Sequence, residues 1–369
     1  MKKQYMVYAV AGDIGGAKET KLAIDALQRM MPDVQVKWFV DPSPRAQAGE
    51  KVLNPVGISY ERRMPSADDR ADLLVYGASA TAFEAQVEWA KWAGSQNIPA
   101  IGVNDFYSTI NRHPAPSTVI TALDEQDAAI TRSVRTDVEV VVVGKPSFAQ
   151  SVRPLIARKN EIRAEVRSKL DIMDNEFMIL VSPGSEVEIF SAHLEAVRQT
   201  AEKLQSRKVV FVPRAHPKLL ALAEGKQCAE QKVAELSANA KVIADSADVV
   251  KDLAQVVLAS DLMLCTWGST DQFTAALAGI PVVLFLFPDE SAKRKTTGYI
   301  DGVPPLIRAH AGWGAATPKQ LTEQVDDVLF DPVSARKSVE TGAVAFQPLI
   351  RPGAAERIAQ VIADRLLGF

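Results

Sequence analysis

Along this chain, short runs of β-branched and other apolar residues alternate with stretches whose apolar positions recur every three or four residues. The first pattern predicts strands and the second helices, and their alternation predicts βαβ units built on a mainly parallel sheet. In the first half, strands are expected at residues 5–11, 34–40, 72–76, 98–103 and 138–143. Helices are expected at 18–30, carried by Leu22, Ile24, Ala26 and Leu27, and at 83–92, carried by Phe83, Val87 and Ala90. Trp89 and Trp92 on the second of these read as core or interface residues. The run 138–143 is apolar at nearly every position, which predicts a strand covered on both faces. After Asn175 the pattern restarts. Strands are expected at 177–181, 208–212, 241–244, 261–266 and 281–287, with helical segments at 186–204, 219–236, 248–258, 268–279 and 354–367.

The chain has 369 residues, enough for two domains of roughly 150–200 residues each. The restart places an N-terminal domain at 1–150, a linker at 151–175, a C-terminal domain at 176–350 and a final helical segment at 351–369. Apolar residues make up 47% and charged residues 24%, and the net charge is −3. That balance predicts a soluble globular protein without a general polyanion-binding surface, so no nucleic-acid partner is expected. Cys228 and Cys265 stand far apart without a Cys-x-x-Cys neighbour, which argues against a disulfide framework or a cysteine zinc site and fits a reducing, cytoplasmic setting. The apolar runs at 6–11 and 280–288 are too short to span a bilayer. The basic stretch with Arg153, Arg158, Lys159, Arg163, Arg167 and Lys169 has two readings. It is a solvated helix with Glu161 and Glu165 interleaved, or a contact for phosphate or anionic lipid heads that would place the protein peripherally on the inner membrane face.

In open parallel sheets, ligands bind beyond the carboxyl ends of the strands, so the loops after strands carry the candidate chemistry. Gly12-Asp13-Ile14-Gly15-Gly16 follows the first strand. Its glycines permit a tight turn and close approach of a ligand to Gly12, Gly15 and Gly16, and Asp13 is either a general base toward an acceptor hydroxyl or a helix cap. Pro183-Gly184-Ser185 is a turn before a helix and a plausible diphosphate cradle. Arg214-Ala215-His216-Pro217-Lys218 puts two cations and an imidazole at a strand end, which suits a phosphate-rich donor. The longest candidate runs from Cys265 to Val283. A buried strand feeds Trp267-Gly268-Ser269-Thr270-Asp271, then a helix of small residues ending at Gly279 before Pro281. Backbone N–H groups at such a turn hold a diphosphate without a lysine.

These segments resemble the GT-B glycosyltransferases. The pattern strand, Gly-Ser/Thr loop, helix, Ala278-Gly279-Ile280-Pro281-Val282-Val283 is similar to the donor-binding segment of lipid-A-disaccharide synthase, the peptidoglycan N-acetylglucosaminyltransferase and UDP-N-acetylglucosamine 2-epimerase. The first of these is also similar at Gly12-Asp13-Ile14-Gly15-Gly16-Ala17, at Val143-Gly144-Lys145-Pro146 and at Pro183-Gly184-Ser185. Arg214-Ala215-His216-Pro217 resembles instead the Arg-x-His-Pro of polyol-phosphate transferases. The resemblance implies an α/β fold of two Rossmann-like domains facing a cleft. It implies a UDP-sugar on the second domain, an acceptor on the first, no metal or other cofactor, and a final helix packing back across the domain junction. Gly184, Ser185, Arg214, His216, Gly268, Ser269 and Thr270 would hold the donor.

The chain departs from these families at three places. Their donor-ribose glutamate is Thr274 here, with Asp271 about one turn earlier as a substitute. The arginine after Pro-Gly-Ser is Glu186. The acidic segment after the third strand aligns with residues 76–81, which hold no carboxylate. The expected function is therefore transfer of a sugar from a nucleotide-sugar to the hydroxyl of a glycan or lipid-linked acceptor, with Asp13 as base. The alternatives are a UDP-sugar 2-epimerase or hydrolase, and a nucleotide-binding or scaffold protein that has lost catalysis. Trp267, beside the glycine turn, is a candidate contact for the base or sugar, and residues 288–302 are a candidate lid or acceptor segment.

Overall fold

The computed structural model describes residues 4–42, 49–78, 83–107, 113, 116–286 and 302–368. The segment 288–301, and with it most of the candidate lid, lies outside them. The described residues fall into two units. One contains those up to Ser151 and those from Pro348 onward; the other runs from Val152 to Gln347.

The first unit carries a parallel sheet of strands β1 (Met6–Ala11), β2 (Gln35–Val40), β3 (Tyr60–Arg62), β4 (Leu73–Gly77), β5 (Ala100–Val103), β6 (Val119–Ala122) and β7 (Glu139–Val142), in the order β3-β2-β1-β4-β5-β6-β7. Its helices are α1 (Ile14–Met30), α2 (Glu50–Leu53), α3 (Phe83–Ser95) and α4 (Glu125–Val134). Alternation along β1 explains why both faces are buried. Val7, Ala9 and Ala11 pack with Ile24 and Leu27 of α1 and with Ile358, Ile362 and Leu366 of the C-terminal helix, Ala354–Leu367. Tyr8 and Val10 face the other way, into Phe39, Trp89 and Trp92. There the Tyr8 ring stacks on Trp92 at 5.6 Å, and Phe39 meets Trp89 at 4.3 Å. Both tryptophans are core residues.

The C-terminal helix lies against α1 of this first unit. Gly353 turns the chain into it at φ 75°, a left-handed value that suits glycine. Arg357 then donates two hydrogen bonds to the Val143 carbonyl, at 2.9 and 2.7 Å. The valine run ending β7 is not covered on both faces. β7 is the edge of the sheet, with Glu139 exposed and Val140–Val142 half-buried. An apolar run reports strand propensity, whereas the position of a strand within its sheet is set by pairing.

The second unit repeats the plan with β8 (Phe177–Ser182), β9 (Val209–Pro213), β10 (Lys241–Val242), β11 (Leu262–Thr266), β12 (Val282–Phe285) and β13 (Trp313–Ala315), all parallel, in the order β10-β9-β8-β11-β12-β13. Around it lie α5 (Arg153–Ala157), α6 (Lys159–Lys169), α7 (Val187–Lys203), α8 (Pro217–Leu220), α9 (Ala223–Ser237), α10 (Ser246–Val249), α11 (Leu253–Ala259), α12 (Asp271–Leu277), α13 (Pro305–Arg308), α14 (Pro318–Phe330) and α15 (Pro332–Ala345). The basic stretch forms α5 and α6, and three of its six cations tie it to other segments. Arg163 donates to Asp261 and the Ala259 carbonyl, both at 2.6 Å. Arg167 reaches Asp261 and the carbonyls of Met173 and Glu176. Lys159 donates to the Ala278 carbonyl at 2.6 Å. Arg158 and Lys169 pair with Glu161 and Glu165.

His193 lies on the core face of α7, fully buried, its ring stacked on Phe285 at 5.4 Å. Neither ring nitrogen has a hydrogen-bond partner among the described residues. Burial pushes its pKa down to about 3, so the folded protein keeps it neutral while the unfolded chain protonates it near about 6.5. Stability contributed by this group therefore falls as pH drops through the ordinary histidine range toward 3, by up to about 1.4 kcal/mol per pH unit. His193→Met is expected to flatten the acid limb of a urea-unfolding pH series. An unchanged limb would show that another group sets it.

Candidate functional site

In each sheet the strand order reverses beside the first strand. From β1 the chain steps outward through β2 and β3, then returns to place β4 on the other side of β1; from β8 it steps through β9 and β10, then returns to place β11 on the other side of β8. The loops leaving two such strands diverge to opposite faces and open a crevice at their carboxyl ends. Gly12–Gly16 leaves β1. Pro183-Gly184-Ser185 leaves β8, and Trp267–Thr270 leaves β11. The second unit thus brings its two glycine-and-hydroxyl turns to one switch point, and places Arg214 and His216 one strand further out, after β9.

Gly184 sits at φ 77°, and a Cβ there would lie 3.2 Å from Thr266 Oγ1 and from Ile189 Cγ2. Only glycine allows this turn to close against the end of β11 without strain. Gly268, by contrast, is exposed, and a Cβ on it would meet no atom within 4 Å. The turn around it is open rather than plugged. Its orientation is set from below by Gln272, fully buried on α12, whose Nε2 donates to the carbonyls of Trp267 (2.9 Å) and Ser269 (2.6 Å). In a trans peptide the C=O and the next N–H point in opposite directions. Fixing these two carbonyls toward Gln272 therefore turns the Gly268 and Thr270 amides away from it, on the side where both residues are exposed. The Ser269 amide between them donates to the Thr266 carbonyl at 3.3 Å, so the turn offers two separated outward amides.

Asp271 opens α12 beside this turn. Its carboxyl is pushed up to about 6, first by burial and then by the nearby Asp252 carboxylate, with Arg214 acting in the opposite sense. Thr274, one turn on, is buried at 1% exposure, which leaves Asp271 as the carboxylate at this edge. The Arg214 guanidinium is engaged by its own chain: Nη1 donates to the carbonyls of Ser246 (3.2 Å) and Val250 (2.6 Å), and Nη2 to Lys251 (3.2 Å). It braces the loop between α10 and α11. His216 is exposed and caps α8, its Nδ1 accepting from the Lys218 amide at 3.1 Å. An Nδ1 acceptor places the proton of the neutral ring on Nε2. Although the residue is exposed, protein packed around the ring partly desolvates it, and this and the Lys218 charge both lower its pKa and favour that neutral form.

In the first unit, α1 presses directly on the end of β4: a Cβ at Gly16 would lie 2.4 Å from the Ala78 carbonyl oxygen, and one at Gly77 2.2 Å from that of Gly16. A Cβ at Gly49 would lie 2.7 Å from the Gly12 carbonyl oxygen. Asp13 occupies the N-cap position, and its side chain makes no cap hydrogen bond. A Cβ at Gly15 would lie 2.2 Å from Asp105 Oδ2. The chain's own carboxylate thus stands at the start of α1, where the helix dipole favours negative charge.

No family model matches the chain, and no curated protein matches it in sequence. Solved structures do match. MnaA of Staphylococcus aureus, solved with UDP, aligns over 99% of this chain and 98% of its own at 12% identity and a TM-score of 0.65. MurG of Acinetobacter baumannii aligns over 98% and 99% at 16% identity and a TM-score of 0.58. HepE of Anabaena, solved with UDP and glucose, aligns over the full length of both chains at 14% identity and a TM-score of 0.58. The chain has the GT-B fold. At these identities the likeness is one of architecture, and the GT-B fold by itself assigns no substrate. In this GT-B chain, two residues outside the candidates read from sequence shape the switch points. Gln272 lies inside the segment quoted for the resemblance, but a glutamine on a short helix carries no signal of what it holds. Asp105 follows a predicted strand, the position that strand-end reasoning should have searched.

Three substitutions test this geometry. Gly184→Ala forces a side chain into a left-handed turn and is expected to cost about 1–2 kcal/mol in chemical denaturation. Gly268→Ala enters open space and is expected to change stability by less than about 0.5 kcal/mol. Asp271→Asn removes a charge that the fold disfavours. It should raise Tm at about pH 7.5, and the gain should vanish near pH 4, where the folded carboxyl is already protonated. A gain that persists in acid would contradict the assignment to this carboxyl.

Proposed function

We propose that the second unit binds the diphosphate of a UDP-sugar, and that the protein transfers the sugar to an acceptor hydroxyl. The observation that carries this reading is the turn after β11, where Gln272 holds the carbonyls of Trp267 and Ser269 and the Gly268 and Thr270 amides are left facing outward. In this reading those amides, the Ser269 and Thr270 hydroxyls and the Gly184-Ser185 turn receive the two phosphates, and Nε2–H of His216 adds a neutral donor. Asp271 takes the part of a sugar-hydroxyl acceptor on the ribose, and Arg214 acts by bracing the 246–251 loop. Preorganised donors of this kind stabilise the charge that develops on a leaving nucleoside diphosphate. A carboxylate of the first unit takes the acceptor proton, with Asp13 as the candidate read from the sequence. Among the structural neighbours, MnaA was solved with UDP and HepE with UDP and glucose, which supports a uridine nucleotide as the donor. The acceptor is a hydroxyl-bearing glycan or lipid-linked glycan.

The test is a thermal-shift and calorimetric screen of UDP-, GDP- and CDP-linked donors. A UDP-sugar is expected to raise Tm and to bind measurably, and Gln272→Leu is expected to weaken that binding at least about tenfold with the fold intact. No shift with any nucleotide-sugar would overturn the reading. Product NMR on the donor that binds separates transfer from epimerisation at C2.

A further inference from the structure

At the opposite end of the second sheet from the donor turn, where β8, β9 and β10 begin, the structure holds a cavity of about 220 Å³. That is smaller than the roughly 300–1,000 Å³ of a pocket for a drug-sized ligand, so it suits a compact one. Buried Ala201, Leu204, Val209 and Phe211 give it an apolar lining. Arg207, Lys208, Lys241 and Glu176 supply its charge. Glu176 is engaged within the protein. It accepts from the Met173 amide at 2.8 Å and pairs with Lys241 at 2.9 Å. Arg207 and Lys208 are left over. Neither makes an ion pair or a side-chain hydrogen bond among the described residues, whereas the cations around them are paired: Arg198 with Glu195 and Glu202, Lys226 with Glu230 and Lys232 with Glu235.

The two unpaired cations stand on a fixed turn. The Arg207 amide donates to the Leu204 carbonyl at 2.8 Å, and the Arg207 carbonyl accepts from Val209 at 3.0 Å. The Lys208 carbonyl accepts from the Phe177 amide at 2.7 Å, which ties the turn to β8. The Arg207 guanidinium lies over the Phe330 ring of α14, 4.4 Å from its centre, and Phe330 meets Phe177 edge-on at 5.2 Å. A ring contact takes one face of a guanidinium and leaves its in-plane N–H donors for an acceptor. Cations also gather at helix C-termini, but that attraction fades beyond the last turn. Lys203 ends α7, whereas Arg207 and Lys208 follow it by four and five residues and donate to none of its carbonyls. Across Leu204, the groove between α7 and α14 carries Glu323 and Asp326, which confines the attraction for an anion to the cavity side.

We propose that this cavity is a second anion site, built for a compact phosphate anion of the size of inorganic pyrophosphate. Arg207 supplies the planar fork of donors and Lys208 a point charge. The six residues of β8 put roughly 17 Å of strand between this end of the sheet and the Gly184 turn, so one pyrophosphate cannot occupy both places. The site does not depend on the donor reading, and it stands whether or not the turn after β11 receives a nucleotide.

The test is calorimetric titration of inorganic pyrophosphate into the full-length protein at low ionic strength, where screening is least. Four proteins are compared, each shown to be folded by circular dichroism. Wild type is expected to bind. Arg207→Gln with Lys208→Gln is expected to weaken binding at least about tenfold. Lys226→Gln with Lys232→Gln removes the same charge from α9 and is expected to stay within about twofold of wild type, as is Gln272→Leu at the donor turn. Absence of binding to wild type overturns the site, and so does full affinity in the Arg207–Lys208 variant. An equal loss in the Lys226–Lys232 variant would show attraction to net charge alone. A tenfold loss in Gln272→Leu would place the anion at the donor turn. Either result also overturns the assignment.

Discussion

A parallel strand order that reverses beside its first strand sends neighbouring chains to opposite faces of the sheet. Where β8 and β11 part, backbone groups stand at the sheet's edge with no strand beyond them to pair with. Nearly everything of chemical interest in the second unit follows from this. The Gly184 turn can close only because it meets Thr266 across that parting, and the turn of β11 can present amides only because Gln272 takes two of its carbonyls. Polar backbone that a sheet leaves over must be satisfied by side chains, solvent or a ligand. Here a single buried glutamine satisfies two of the turn's carbonyls from within.

The two switch points are built to opposite electrostatic purposes. In the second unit the turn gathers N–H groups and an imidazole that donates, with Asp271 nearby in a setting that resists ionisation. In the first unit Asp105 fills the start of α1, and Asp13 stands beside it. One turn favours an anion and the other repels one. The carboxyl raised by burial at Asp271, the left-handed Gly184 and the buried Glu19–Lys145 pair are each unfavourable for stability taken alone. The first two lie at one switch point, and the third braces the Asp105 loop at the other through Lys145, which is where a working site would be expected to concentrate such features.

How much of this was legible from residues alone differs by type of feature. The alternation of apolar runs foretold the α/β class and the doubled plan, because burial against helices on both faces leaves its mark on every central strand. It missed β3, β6 and β13, short segments interrupted by charge, Thr121 or Gly314, which break the apolar run that marked the equally short β5, β7 and β12. It placed Val138–Val143 in the interior because valines favour strands wherever they sit, and the pairing that put β7 at the edge is invisible in its own composition. The cations of α6 read as a solvated face or an anion contact. The solvated reading holds for Lys169, paired with Glu165, whereas Arg163 and Arg167 bond to Asp261 and to the carbonyls of Ala259, Met173 and Glu176, up to about a hundred residues away along the chain.

The sequence by itself determined where glycine-bearing turns follow strands, and hence which loops could receive a ligand, since those signals are local in the chain. Only the tertiary structure decided what each loop faces. It brought Gly184 to Thr266, turned the amides of Gly268 and Thr270 outward, committed Arg214 to the carbonyls of a neighbouring loop, and set Asp105 against Gly15. Apart from the Gln272 bonds, which span only three to five residues, these are contacts between segments tens of residues apart, fixed by strand order and packing, and no window of sequence holds both partners at once.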